Sequence, residues 1–336
     1  MKVLLYHLTP FALAHGGVQT QIVQTRAVLE QLGVEVEFLR WWDPTQTGDI
    51  LHFVGRLRAS AVQLARGTGM KVILAELLAE QAARPRLRLK LQKLARLGID
   101  RTPLRRLPLR SWDGYAAADA CLALTDWEAF LMKELYGAPA NRIHVVPNGV
   151  EEVFLKSPPA AQRGPWLVCT ATIRELKRIV ELAEAAVQAQ TPLWIIGRPY
   201  SEAAAYAQRF YALAKAHPRI LRYEGPIADR ARLAQVYREA RGFVLLSAME
   251  SLSLSALEAA ACECPLLLSR LPWATGVFGE HACYCPVTPS AARTAGFLRQ
   301  FYDAAPDLKP PPRPLTWLEV GQQLKRLYES LLSTSR

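Results

Sequence analysis

Short runs of consecutive apolar residues alternate with longer stretches of helical spacing along almost the whole chain, and the alternation occurs twice. In the first half the apolar runs fall at residues 3–6, 34–39, 50–54, 72–74, 121–124 and 143–146. The first run is followed by the loop His15-Gly16-Gly17-Val18 and a helical stretch over 19–31 that ends at Gly33. Pro147-Asn148-Gly149 stops the last run. In the second half the runs fall at 166–171, 193–196, 220–223, 243–246, 265–268 and 283–285. Helical stretches lie between them at 174–188, 201–216, 229–240 and 254–261. Buried strands alternating with helices predict an α/β chain whose sheets are parallel and covered on both faces, in two doubly wound domains.

Two segments interrupt this order. Residues 156–165, rich in Pro, Ala and Gly, read as a linker between domains. Residues 306–314 contain five prolines and cannot be helical. Beyond them Val320, Leu324, Leu327 and Leu331 define a last helix over 317–332, placed to cross back onto the first domain. The predicted division is therefore residues 1–156 joined by 315–336, and residues 165–305.

A length of 336 residues, with 51% hydrophobic and 21% charged, suits two domains that each bury a core and excludes a disordered or fibrous chain. No apolar run approaches the ~20 residues of a spanning helix. Residues 1–6 resemble a signal peptide only until His7, Thr9 and Pro10, so they read as a buried strand. Six cysteines without a secretory signal point to reduced thiols and a cytoplasmic chain.

The formal charge of +11 is concentrated. Arg84, Arg86, Arg88, Lys90, Lys93, Arg96, Arg101, Arg105, Arg106 and Arg110 stand against Asp100 alone, a local excess of +9. Leu87, Leu91, Leu94 and Leu97 recur at spacings of four, three and three, with Arg86, Lys90, Lys93 and Arg96 in the neighbouring rows. The segment reads as a solvated helix packed through its leucines, or as a helix lying on an anionic membrane surface. A nucleic-acid reading lacks stacking aromatics before Trp112 and any recognised binding motif, so no nucleic-acid partner is expected.

Ligands of open parallel sheets bind beyond the carboxyl ends of the strands. Gly16-Gly17 at a strand-to-helix junction lets backbone amides approach a phosphate, although a Gly-Gly pair serves equally as a tight turn. The richest stretch is Ser247-Ala248-Met249-Glu250-Ser251-Leu252-Ser253-Leu254-Ser255-Ala256-Leu257-Glu258. It places one carboxylate after a buried strand and a second eight residues later inside a helix. Ser251, Ser253 and Ser255 add hydroxyls to the free amides of the helix start. Such a cradle fits a diphosphate flanked by polyols.

Glu250 and Glu258 with seven residues between them, followed by Glu258-Ala259-Ala260-Ala261-Cys262-Glu263-Cys264-Pro265, resemble glycosyltransferase family 4, whose members have the GT-B fold. Gly16-Gly17, Pro147-Asn148-Gly149-Val150, Gly197, Tyr223-Glu224-Gly225 and the helix from Trp317 extend the resemblance over nearly the whole chain. It implies two Rossmann-like domains facing a cleft, an acceptor domain followed by a donor domain. It implies a retaining, metal-independent transfer of a hexose-type sugar from a nucleotide diphosphate sugar, with no further cofactor. The expected acceptor is a glycan or a lipid-linked molecule, as in polysaccharide biosynthesis, with the enzyme peripheral on the inner face of the cell membrane. By the same resemblance Glu258 holds the ribose and Glu250 the transferred sugar, with Ser251, Leu252, Ser253 and Leu254 near sugar and phosphates.

Lys177 matches the family's diphosphate-binding lysine. Thr172 stands where its arginine is usual, which leaves Arg174 or Arg178 as substitutes. No His follows the strand ending Leu74-Ala75-Glu76; His52, after another strand, reads as a half-buried strand-end residue. These departures leave open a catalytically weakened relative that binds a nucleotide sugar or a partner. Cys262-x-Cys264 and Cys283-x-Cys285 have only one residue between ligands, too tight for usual zinc spacing, so no metal is expected. Nucleophile-elbow, Walker and Asp-x-Asp motifs are lacking.

Overall fold

Every strand pairing among the described residues of the computed structural model is parallel. The structure describes residues 1–12, 16–102, 112–156, 162–288 and 290–333. It divides into Met1–Asn148 with Trp317–Arg336, and Gly149–Thr316. The boundary thus falls at 148, so residues 149–156 go with the second unit and not the first. Ser157 to Ala161 of the expected linker lie outside the described residues, as does His15.

The first unit runs β1 (Lys2–His7), α1 (Gly17–Gln31), β2 (Glu35–Phe38), β3 (Ile50–Val54), α2 (Ala59–Gly67), β4 (Lys71–Leu74), α3 (Ala79–Ala82), α4 (Arg86–Asp100), α5 (Asp113–Ala117), β5 (Ala120–Ala123), α6 (Asp126–Tyr136) and β6 (Ile143–Val145). Its sheet has the order β2-β1-β3-β4-β5-β6. All five residues of β3 are buried, as expected of a strand with helices on both faces. Thr125 caps α6 by accepting from the Glu128 amide at 3.2 Å, while the buried Glu128 carboxylate accepts from the amides of Leu78 and Leu124 at 2.8 and 2.9 Å.

The second unit runs β7 (Leu167–Thr170), α7 (Ile179–Gln188), β8 (Leu193–Ile196), α8 (Ala205–Ala216), β9 (Leu221–Tyr223), α9 (Arg230–Glu239), β10 (Gly242–Leu245), α10 (Leu254–Ala261), β11 (Leu266–Ser269), α11 (Pro272–Phe278), β12 (Cys283–Cys285) and α12 (Ala291–Ala304). Its order, β12-β11-β10-β7-β8-β9, reverses direction between β7 and β10. That is the Rossmann order, with its switch point at the β7/β10 junction. The helix expected over 174–188 is broken. A short 3-10 turn spans Glu175–Lys177, Arg178 takes a left-handed φ of 53°, and α7 begins only at Ile179.

The final helix, α13 (Trp317–Ser333), packs on α1 in the first unit. A Cβ at Gly321 would come within 2.8 Å of both methyls of Val28, so only glycine allows this approach. Lys325 donates to the Leu32 carbonyl at 2.9 Å, a cation placed on the carboxyl end of α1. His52 corrects an expectation. It lies in the middle of β3, 4% exposed, and its Nδ1 is 2.7 Å from the Tyr328 hydroxyl of α13. Burial pushes its pKa down to about 4, so the imidazole is neutral in the folded chain. No helix among the described residues is long and apolar enough to cross a membrane.

Candidate active site

The loops leaving β7 and β10 are neighbours because their strands are paired at the switch point. The Ala248 amide donates to the Leu176 carbonyl at 2.8 Å and fastens one loop to the other. This places Lys177 and Glu250 together: the ammonium is ion-paired to Glu250 Oε1. Ser247 Oγ donates to the same oxygen at 3.0 Å, and is itself held from below by Ser269, whose Oγ donates to the Ser247 carbonyl at 2.7 Å. Glu250 Oε2 is left without a protein partner among the described residues.

Ser251, Leu252 and Ser253 follow, all buried, and Ser253 is the N-cap of α10. Its hydroxyl accepts from the Ala256 amide at 3.3 Å. The amides of Leu254 and Ser255, in the first turn, have no intrahelical partner. Ser251 Oγ is buried with no hydrogen-bond partner among the described residues. An unpaired buried hydroxyl beside free helix-start amides is an arrangement that a bound anion or sugar hydroxyl completes.

Glu258 lies one turn further along α10 and is 7% exposed. Its Oε1 is ion-paired to Arg230 Nη2, and the Tyr237 hydroxyl lies 3.4 Å from Oε2. Burial raises the Glu258 pKa, opposed by Arg230 and by the Tyr237 hydrogen bond. Arg230 also donates through Nε to Glu151 at 2.8 Å and lies 4.7 Å from the centre of the Phe154 ring. Sequence reasoning missed Arg230, Glu151 and Tyr237. A signal for the first was present: Arg230 opens α9 just after the N-cap Asp229, where the helix dipole disfavours a cation, so a specific carboxylate is needed to hold it there.

The two arginines expected to replace the missing one are engaged elsewhere. Arg174 lies over the Tyr200 ring with its guanidinium carbon 5.5 Å from the centroid. Arg178 donates to the Thr288 carbonyl. Neither is bonded to Glu250 or Glu258 among the described residues.

In the first unit Gly16 is the N-cap of α1 with φ 136°, and Gly17 is its first residue, so the expected glycine loop does open a helix. At the ends of β3 and β4, Arg56 donates from Nε and Nη2 to Glu76 at 2.7 and 2.8 Å and from Nη2 to the Tyr136 hydroxyl at 3.0 Å. The Tyr115 hydroxyl donates to the same carboxylate. Glu76 closes the strand after which a histidine was sought. Among the described residues no three His, Cys, Asp or Glu side chains converge in a group that could hold a metal ion. Burial pushes the Cys262 and Cys264 thiols up to about 12.

On the segment expected at a membrane, Arg86 and Lys90 are exposed, but Lys93 pairs with Glu134 and Arg96 with Asp100. Arg105, Arg106 and Arg110 lie outside the described residues.

Residues 164–300 match the family model of glycosyl transferases group 1. A D-inositol 3-phosphate glycosyltransferase of Kribbella flavida is 32% identical over 180 residues, 46% of this chain and 41% of that protein, so the match spans less than half of the relative's length. The solved sucrose-phosphate synthase of Thermosynechococcus elongatus aligns over 99% of both chains with a TM-score of 0.69 at 17% identity. Anabaena HepE, solved in complex with UDP and glucose, aligns over 98% of this chain and 99% of its own with a TM-score of 0.61 at 12% identity. Residues 164–300 thus match the glycosyl transferases group 1 model, on a chain of two Rossmann-like units with the GT-B fold.

Proposed function

We propose that this chain is a retaining glycosyltransferase that moves a hexose-type sugar from a nucleotide diphosphate sugar to a glycan or lipid-linked acceptor without a metal ion. The observation that carries this reading is the joining of Lys177 and Glu250 at the switch point, beside the amino end of α10. As the bond from sugar to diphosphate breaks, negative charge grows on the leaving phosphate. Lys177 and the free amides of Leu254 and Ser255 are positioned to take it up, a preorganised electrostatic contribution. The free Oε2 of Glu250 accepts from a hydroxyl of the sugar being transferred. Glu258, held by Arg230, accepts from the ribose. HepE, whose solved complex contains UDP and glucose, supports the ligand class.

The test is a thermal-shift screen of UDP-, GDP- and ADP-sugars, followed by donor turnover with and without candidate acceptors and NMR assignment of the product anomer. One nucleotide series should stabilise the protein, and turnover should retain the anomeric configuration. Lys177→Ala and Glu258→Ala should each weaken nucleotide binding by roughly 1.5–3 kcal/mol while remaining folded. Unchanged affinity in both variants overturns the site assignment; donor binding with no turnover selects a binding protein instead.

A further inference from the structure

Helix α4 carries its apolar residues on two opposite faces. Leu89 is 6% exposed and packs into the core of the first unit, and on the same side Lys93 reaches Glu134 of α6 and Arg96 lies within 2.9 Å of where a Gly137 side chain would begin. At 100° per residue the opposite side is formed by Leu87, Leu91 and Leu94, with Gly98 continuing the row. These leucines are 70, 59 and 64% exposed. An ordinary surface helix directs its leucines inward and its cations outward. Here three leucines face away from the protein.

The flanks of this stripe are cationic. Arg86 and Lys90 lie on one shoulder, Arg88 on the other, and the exposed Arg101 caps the helix. The only acid of α4, Asp100, is turned to Arg96. An apolar stripe flanked by cations matches the boundary of an anionic bilayer, with leucines among the acyl chains and cations at the headgroup phosphates. A protein groove would accept the leucines but gives no reason for an excess of cations beside them. A nucleic acid would accept the cations but not the leucines.

We propose that α4 docks this protein on anionic lipid membranes, inserting Leu87, Leu91 and Leu94 and placing Arg86, Arg88 and Lys90 at the headgroups. The surface belongs to the first unit and the proposed donor residues to the second, so the transferase reading stands or falls independently.

The experiment is co-sedimentation of the full chain with vesicles of phosphatidylcholine alone or with 30 mol% phosphatidylglycerol, at about 0.1 and 0.5 M salt. Binding should need phosphatidylglycerol and weaken at least ten-fold at high salt. Each cation near such a surface contributes about five-fold, so Arg86→Glu/Arg88→Glu/Lys90→Glu should lose at least thirty-fold. Leu87→Ser/Leu91→Ser/Leu94→Ser should lose at least ten-fold with unchanged circular dichroism and melting temperature, because these side chains support no core. Equal binding to both vesicles, no binding at low salt, or full retention by the leucine variant overturns the proposal. Tighter capture of a single-stranded oligonucleotide than of phosphatidylglycerol vesicles also overturns it and gives the surface to nucleic acid.

Discussion

His52 and Glu258 are both titratable groups buried inside a parallel-sheet unit, the first beside Tyr328 and the second held by Arg230 and Tyr237. His52 meets Tyr328 at 2.7 Å and is neutral, its pKa driven down from an ordinary 6.5 to about 4. Between those two values the unfolded chain takes up a proton that the folded chain refuses. Stability is therefore full above about pH 6.5 and falls by about 1.4 kcal/mol per unit as the pH drops toward 4. Wild type and His52→Gln, compared by urea unfolding from pH 7 to 4, should diverge over this window, with the wild type losing more. Parallel curves would mean that His52 charges in place. Glu258 depends on Arg230, so Arg230→Ala strands a buried carboxylate. Because Arg230 is about one third exposed, the expected loss is about 2 kcal/mol and not the larger figure of a fully buried pair. Arg230→Ala/Glu258→Leu should recover part of that loss in the same unfolding assay, and additivity of the two changes would count against the pairing. The Glu250 and Glu258 pair was legible in the sequence because one loop and one helix set its spacing, whereas Lys177 was singled out only by the family resemblance. Arg230 was not, since its partner is 28 residues distant in the chain and the contact exists only once β9 and β10 have been placed in the sheet.

Elements were legible where burial is uniform and obscured where it is not. Ile50–Val54, Leu193–Ile196 and Cys283–Cys285 coincide with the runs read from the sequence. Helix α6 was overlooked because Asp126, Trp127 and Glu128 break its apolar spacing, although Thr125 and Glu128 form a capping pair at its start. The late start of α7 was hidden for another reason: left-handed backbone is expected at glycine, and here it falls on Arg178. The C-terminal helix was read correctly as returning to the first unit, and its seat is narrow. Gly321→Val should overpack against Val28 and destabilise by about 1–3 kcal/mol in urea. Adding Val28→Ala should return most of that loss. A Gly321→Val protein as stable as wild type would show that α13 packs on α1 less closely than described.

At the scale of the whole molecule, the proposed donor residues Lys177, Glu250 and Glu258 all belong to the unit Gly149–Thr316. A saturating nucleotide at 100 times its dissociation constant adds roughly 2.7 kcal/mol to whatever binds it. Hydrogen exchange should therefore show slowed amides in the loops after β7 and β10 and at the start of α10. Amides in the first unit that gained the most protection would relocate the donor site.

The chain enters the second unit after Asn148 and leaves it before Trp317, so that unit is inserted within the sequence of the first. On the ribosome the inserted unit is completed while the enclosing one still lacks α13. At about 5–20 residues per second, synthesis from Asn148 to Trp317 takes roughly 10–30 s. Throughout that interval the face of α1 around Val28, the Leu32 carbonyl and the buried imidazole of His52 await Gly321, Lys325 and Tyr328. The first unit, begun first, is thus the last to be sealed, and the nascent chain carries an uncovered apolar surface that chaperones can recognise until its closing helix is made.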